Sequence, residues 1–533
     1  MAKSIQDLGK ADFIDIELII LNERQPSSFR HKLRRLNEIR QRFLYNVYLQ
    51  VDQWTVRRFS PPREDAFIKV DISSELFSVK KLNVSPIVKK RVYNYFSKKN
   101  IEEIKAQNLD VIVRYGFDIL QGEILKASKY GIWSLHHGDN EKYRGGPAFF
   151  WEIYNNDPVS GSILQIINEK LDAGKVIYRS YSATWPFSLF LNRNNTYWKT
   201  SHFILRRLKD LHEYGFKFIE SLDTYRHSPG VDVKLYKTPT NWQMVLFSLK
   251  VLKQVFIRVR EKFILRADWH MRIGPSPKNP LKLSSLPTLK KIESPRGHFY
   301  ADPFLYHHTD GDYLFYEDYC YKAKKGTLSC FKVDASGNLS KPQTVLEKDY
   351  HLSYPFVFKH EDKIYMLPET LHNQTIELYE TVEFPHKWKL KKVLIENIRA
   401  VDSTLLIHNN TYWLFTNVSQ HGISIADELF IYYSDSLLGP WKEHTQNPVI
   451  SDVRRSRGAG QIFKWKDQII RPSQDCSTRY GYAINLNQIT KLTKSEFEEK
   501  TIDRLEPHMI GCGALATHTF NFNERWSVLD MIG

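Results

Sequence analysis

Only four cysteines occur in 533 residues (Cys320, Cys330, Cys476 and Cys512), and they stand without metal-ligand spacing. This excludes a disulfide-stapled scaffold and a cysteine zinc site, and no metal is expected. Met1 to Phe13 lack an apolar signal core, and no run reaches the ~18 apolar residues that a membrane span requires. A cytoplasmic, reduced protein is the expectation. Base-reading motifs and aromatic/basic repeats are also missing, so no nucleic-acid partner is expected despite a net charge of +16. That charge is concentrated: between Asn241 and Lys291, eleven Lys and Arg stand against two acidic residues. Such a segment suits an anionic glycan or an anionic membrane surface, with the protein peripheral at the inner face of the membrane.

What is present is the composition of a packed protein, 42% hydrophobic and 14% aromatic, in a chain too long for one core. Three segments are expected: 1–235, 236–295 and 296–533. In the first, apolar strand-like runs at Ile16 to Leu21, Ala66 to Ile72, Leu109 to Tyr115 and Gly131 to His136 alternate with helix-like stretches. These helical stretches run from Arg30 to about Leu49, from Pro86 to Gln107 and from His202 to Leu222. The order predicts an α/β domain, a parallel sheet covered by helices on both faces.

The chemistry-bearing stretch runs from Gly131 to Ile177. It places His136 at a strand end and Asp172 in an Asp-x-Gly turn 36 residues later. Ligand sites of such sheets gather beyond the carboxyl ends of the strands. There, Asp172 would hold one nitrogen of the His136 ring while the other serves a reacting group. On spacing alone the signal is weak, and such a pair is more often a satisfied structural hydrogen bond.

The neighbouring residues carry more. His136, Arg144, Gly145, Trp151, Gly161, Asp172 and Gly174, preceded by Tyr115-Gly116 and Ile119-Leu120, resemble the pattern of the 10-formyltetrahydrofolate-dependent formyltransferases. That family includes methionyl-tRNA, glycinamide ribonucleotide and sugar-nucleotide N-formyltransferases. The resemblance implies a Rossmann-like fold, 10-formyltetrahydrofolate as formyl donor, and His136 and Asp172 as catalytic residues. It also implies a folate-side loop at Tyr115. Two departures stand out: the family's catalytic Asn is Ser134, and its Leu-Leu-Pro loop is Gly138-Asp139-Asn140-Glu141. Ser134 would then supply a substitute donor to the formyl oxygen. The family's opening strand, expected ahead of Ile16, is read as either missing or cut off by where the sequence starts. His137 is read as facing away from His136. Asp139 is either a loop residue or a contact to the amine substrate, and Arg144, beside Gly145, suits a phosphate or carboxylate.

In the connector, Val245, Leu249, Leu252, Phe256, Val259 and Phe263 recur at helical spacing, with Lys250, Lys253, Arg258 and Lys262 elsewhere on the surface. The helix either packs between domains or lies on anionic lipid through 241–266. Gly274-Pro275-Ser276-Pro277 then marks a linker.

The last segment repeats one pattern five times, with starts at Ala301, Ser353, Val401, Gly458 and Leu515 spaced by 52, 48, 57 and 57 residues. Each unit is an apolar strand, a polar turn and a second apolar strand, which predicts a five-bladed β-propeller closed by Leu286 to Ile292. Arg471 to Cys476, Tyr480-Gly481 and His518 to Asn521 make the segment resemble family-43 glycoside hydrolases. It is more similar still to the propeller region of plant glucosamine inositolphosphorylceramide transferases. The hydrolase pattern implies Asp302 as base and Asp402 as second carboxylate. No Glu stands at the acid position near Arg457, and Glu369 and Asp475 are the substitutes, with His518 a further funnel residue. Without a clear proton donor, glycan binding in the funnel is favoured over hydrolysis.

Together these readings predict formyl transfer to an amino sugar, nucleotide-linked or part of a surface polysaccharide or glycolipid, with the propeller holding the sugar. The alternatives are a propeller that catalyses glycosyl transfer beside a decayed formyltransferase domain, and a non-catalytic glycan- or membrane-binding protein.

Overall fold

The computed structural model describes residues 1–23, 40–61, 63–90, 92–170, 174–222, 234–261, 268–511 and 513–533. Two units result, Met1–Val255 and Phe256–Gly533.

The first unit is α/β. Its four-stranded sheet runs in the order Lys175–Ala183, Val159–Ile166, Ile132–His136, Ile112–Arg114. The pair Ile112–Arg114 and Ile132–His136 is parallel. The two joints that follow are antiparallel, so the sheet is mixed where the sequence predicts a parallel one. The second of these joints follows from the short connection between Val159–Ile166 and Lys175–Ala183, which reverses the chain as a hairpin. Strand alternation divides the packing. Ile132 joins Val84, Ile104 and Leu120 on one face, and Trp133 joins Leu164, Phe203 and Leu211 on the other. The helix Phe203–Tyr214, expected as the closing helix, covers the second face.

Two expected elements differ. Ala66 to Ile72 forms no strand; the segment is pinned by Ala66 N–H to Asn194 (2.7 Å) and by stacking of Phe67 on Phe190 (5.1 Å). Its apolar residues are anchors and surface, and the strand partner of Leu18–Asn22 is Lys80–Val84. The stretch from Pro86 to Gln107 divides into the hairpin Ile87–Lys89 and Tyr93–Tyr95 and the helix Lys98–Lys105, started by the Ser97 cap.

The second unit contains five antiparallel sheets in succession, four of them four-stranded and the third five-stranded, a propeller-like arrangement. They begin at His298–His308, Ser353–His360, Ala400–His408, Phe463–Trp465 and Phe520–Phe522. The first strand bulges in three of them, two residues facing one, between Ala301 and Phe304, Ser353 and Phe356, and Val401 and Thr404. The bulged Asp302, Tyr354 and Asp402 share φ values of 50°, 49° and 51°, which redirects each side chain out of the alternation. The fifth meander is built from both ends of the unit. Phe520–Phe522 and Trp526–Ile532 are followed by Trp269–Pro275 and then Lys290–Ile292. The predicted outer strand is therefore present at Lys290–Ile292. The predicted linker is corrected, because Trp269–Pro275 pairs with Trp526–Ile532 over seven registered positions.

The connector helix Asn241–Val259 buries Met244 and Phe247 and leaves its sequence-read apolar stripe largely outward. Phe263, the last stripe residue, lies outside the described residues.

Candidate functional sites

In the first unit the candidate residues converge at the carboxyl end of Ile132–His136. Ser134 is buried, and its Oγ accepts from Arg114 Nε at 3.0 Å. The same guanidinium donates through Nη1 to the carbonyls of Phe117 (3.0 Å) and Asp118 (2.5 Å). A cation thus stands beside the position where the family pattern has Asn. Sequence reasoning passed over Arg114; its place in register with Ser134 across the parallel pair was the available signal.

His136 Nε2 lies 3.3 Å from the Tyr143 carbonyl. The Tyr143–Gly146 loop is held by a short parallel ladder to Leu235–Tyr236. There Gly145 has φ +86°, and a Cβ on it would lie 2.4 Å from the Tyr236 carbonyl oxygen, so only glycine fits. Arg144 is the other residue of that ladder, half-buried. Asp172 falls outside the described residues. Its flanks are fixed: Gly174 N–H donates to Gln165 Oε1 at 3.1 Å, and the Gln121 side chain donates to the Glu169 carbonyl at 2.9 Å.

Three residues have other engagements. Asp139 pairs with Arg179 Nη1 at 2.8 Å, and the same guanidinium reaches Asn140 (3.0 Å) and Glu141 (2.8 Å), so the loop that replaces Leu-Leu-Pro is an ion-paired knot. The Tyr115 hydroxyl meets Ser4 Oγ at 2.5 Å, and burial pushes it up to about 12, which makes it a tie to the N-terminal helix Ala2–Leu8. His137 points to Thr200 Oγ1 (3.1 Å) and Tyr197, and burial together with the neighbouring His136 lowers it to about 3. Near this site Glu152 is buried with Oε1 unbonded, and burial raises its carboxyl to about 8.

In the second unit the bulged strands bring a set of buried charges together. Asp302 accepts from Tyr354 N–H (3.2 Å) and Thr519 Oγ1 (2.8 Å), and His518 Nε2 lies 3.7 Å away. Asp530 orients that ring, 2.6 Å from Nδ1, while accepting the backbone N–H groups of Asp302, His518 and Thr519. Burial raises Asp302 to about 6. Burial opposes a charged His518, but the Asp530 and Asp302 carboxylates outweigh it and hold the ring above its ordinary value. Asp302, His518 and Asp530 are close enough to share an ion. With four N–H groups already on Asp530, they form an oriented acid–imidazole–acid line instead.

Asp402 is neutralised by Arg457, whose Nε lies 2.6 Å from Oδ2, and Gln474 adds a contact at 3.2 Å. Arg457 therefore occupies the region where the hydrolase pattern would place the acid. Glu369 belongs to this set, 3.9 Å from Arg457. Glu317, absent from the sequence reading, joins it too. Burial and the surrounding carboxylates hold both glutamates well above the usual carboxyl range. Asp475 does not join: its partner is Arg504 Nη1 at 2.8 Å. Tyr480, half exposed, lies over the Arg457 guanidinium at 4.7 Å and edge-on to His518. Trp269 stacks on His518 at 4.0 Å.

The family model described as glucosamine inositolphosphorylceramide transferase 1, N-terminal, matches residues 278–509. Glucosamine inositolphosphorylceramide transferase 1 of Oryza sativa subsp. japonica is 38% identical over 229 residues, 42% of this chain and 30% of that protein. The methionyl-tRNA formyltransferase of Fusobacterium nucleatum is 36% identical over 124 residues, 21% of this chain and 40% of that protein, and the likeness lies in the N-terminal part. Among solved structures, the family 117 glycoside hydrolase Zg3597 of Zobellia galactanivorans aligns with a TM-score of 0.34 at 10% identity, covering 49% of this chain and 90% of that one. Among the described residues no helix is long and apolar enough to cross a membrane. The chain spans under half the length of the transferase and the formyltransferase named here, and it joins a part similar to formyltransferases to a part similar to the glucosamine inositolphosphorylceramide transferase family.

Proposed function

We propose that the protein transfers a formyl group from 10-formyltetrahydrofolate to the amine of an amino sugar. The observation that carries this reading is the strand-end arrangement of His136, Ser134 and Arg114 beside the glycine-locked Tyr143–Gly146 loop, in a part of the chain similar to formyltransferases. The amine nitrogen attacks the formyl carbon, the bond from that carbon to the folate nitrogen breaks, and the proton lost by the amine passes to the leaving folate nitrogen. His136 serves as acid and base and steadies the tetrahedral oxyanion, with Asp172 as its orienting carboxylate. Ser134 and Arg114 take the donor role of the missing Asn. The second unit holds the sugar: the half-exposed Tyr480 ring, backed by the Arg457 guanidinium, offers an aromatic face on which a sugar ring can stack.

The test is calorimetric titration with 5-formyltetrahydrofolate, an unreactive relative of the donor, followed by a screen of amino sugars. Saturable one-site binding and turnover lost in His136→Ala are expected. Absence of folate binding by folded protein overturns the reading.

A second reading rests on the likeness over 278–509 and the Asp302–His518–Asp530 line: the second unit catalyses glycosyl transfer. Sugar turnover lost in Asp302→Asn but retained in His136→Ala would favour it.

A further inference from the structure

Two helices of the first unit turn apolar side chains outward in parallel stripes. On Phe43–Phe59 the stripe is Phe43, Val47, Val51 and Trp54, exposed by 56, 41, 53 and 61%. On Asn241–Val259 it is Trp242, Val245, Leu249 and Leu252, exposed by 69, 39, 58 and 63%. The spacings of three and four residues place each set on one helical face.

The helices lie side by side. Asn241 Oδ1 accepts from Leu44 N–H at 3.1 Å, its amide donates to the Arg40 carbonyl at 2.9 Å, and the Tyr48 and Phe247 rings meet at 5.1 Å. Tyr45, Met244 and Phe247 enter one core with Phe149 and Phe150. Because both inner faces share that core, both outer stripes look away from it on the same side. Scattered exposed apolar residues are ordinary, but eight on two adjoining helices form a patch of the kind that binds something.

Charge selects the occupant. The helix Asn241–Val259 contains no Asp or Glu, and the one acid of Phe43–Phe59, Asp52, is buried and accepts from Phe190 N–H at 2.7 Å. The cations Arg40, Arg42, Arg58 and Lys253 stand at the ends and flanks of the stripes. Gln50, Gln53, Trp54, Arg57 and Arg58 line an open groove of about 410 Å³ beside the first stripe. Apolar faces flanked by cations, on two helices that expose no acid of their own, match an anionic bilayer surface, where the stripe enters the acyl boundary and the cations meet phosphates. We propose that this two-helix face docks the protein on anionic lipid, independently of the formyl-transfer reading.

The test is co-sedimentation of the full chain with phosphatidylcholine vesicles, with and without phosphatidylglycerol. Binding to the anionic vesicles at least about tenfold tighter than to neutral ones, and weakening with salt, is expected. Leu249→Glu with Leu252→Glu abolishes it, and so, independently, does Val51→Glu with Trp54→Ala; both pairs are exposed, and unchanged circular dichroism shows that the fold survives. Equal binding to both vesicles, or none, overturns the proposal. So does a solution mass of two chains that either double variant halves, because the patch then belongs to a second copy.

Discussion

At the scale of single residues, the second unit buries more acid than it neutralises. Among the described residues the basic side chain that meets Glu317 is His351, 3.6 Å away, and burial together with the neighbouring His372 lowers that ring to about 4, so it brings no charge at neutral pH. The carboxyl of Glu317 is held well above its ordinary 4.5. Above pH 4.5 the unfolded chain releases this proton while the folded chain retains it, so stability falls as pH rises toward the folded-state value. Gln has no proton to retain. Glu317→Gln should therefore match the parent's melting temperature near pH 4 and exceed it by a few degrees near pH 8, as read by calorimetry. A constant difference across that range would mean that Glu317 is not the uncompensated acid.

The same scale separates roles at the formyltransferase-like site. Arg114 donates to Ser134 and to two loop carbonyls, so it either donates in the transition state or merely shapes the loop. As a donor, Arg114→Ala lowers kcat about 10²-fold while 5-formyltetrahydrofolate still binds. As a loop support alone, its removal weakens folate binding together with kcat.

At the scale of elements, the repeated bulge ties sheets to one another. The redirected Tyr354 donates its hydroxyl to the Gly460 carbonyl at 3.1 Å and accepts the Gly460 N–H at 2.9 Å, joining the second sheet to the segment leading into the fourth. Tyr354→Phe leaves a buried amide and a buried carbonyl unmatched and should cost about 2 kcal/mol, measured as a shifted denaturant midpoint at unchanged slope.

The repeat itself was legible because each unit returns the same strand, turn and strand. Its central charges were half legible. Asp302 and Asp402 occupy the same place in their repeats and His518 follows a family motif, whereas Glu317 and Arg457 carry no local signal and meet the others only through pairing across sheets. In the first unit, Ser134 and His136 were readable from the strand and its loop. The expected strand at Ala66 to Ile72 was not, because an apolar run shows that side chains are anchored without showing what anchors them. Pro275 in the linker motif misled for a related reason: it closes the strand Trp269–Pro275 opposite Trp526, where it terminates a ladder instead of interrupting one.

At the scale of the whole molecule, the fifth sheet decides where the second unit must begin. Trp269–Pro275 pairs with the last strand, Trp526–Ile532, at every position from Trp269 with Ile532 to Pro275 with Trp526. Its Met271 and Ile273 are fully or almost fully buried with Leu314, Tyr316 and Val528, so the strand also packs against the first sheet. Removing it strips two large core side chains, at roughly 2–5 kcal/mol each, and leaves Trp526–Ile532 with an open edge. A chain of residues 256–533 should therefore be soluble and melt cooperatively within a few degrees of the second unit's transition in the full protein. One that starts at residue 276 should aggregate or melt far lower, although it retains every repeat visible in the sequence. Differential scanning calorimetry of the two chains separates these outcomes. Equal melting of both would mean that the sheet does not depend on this strand, and that the start of the unit lies where the repeat begins.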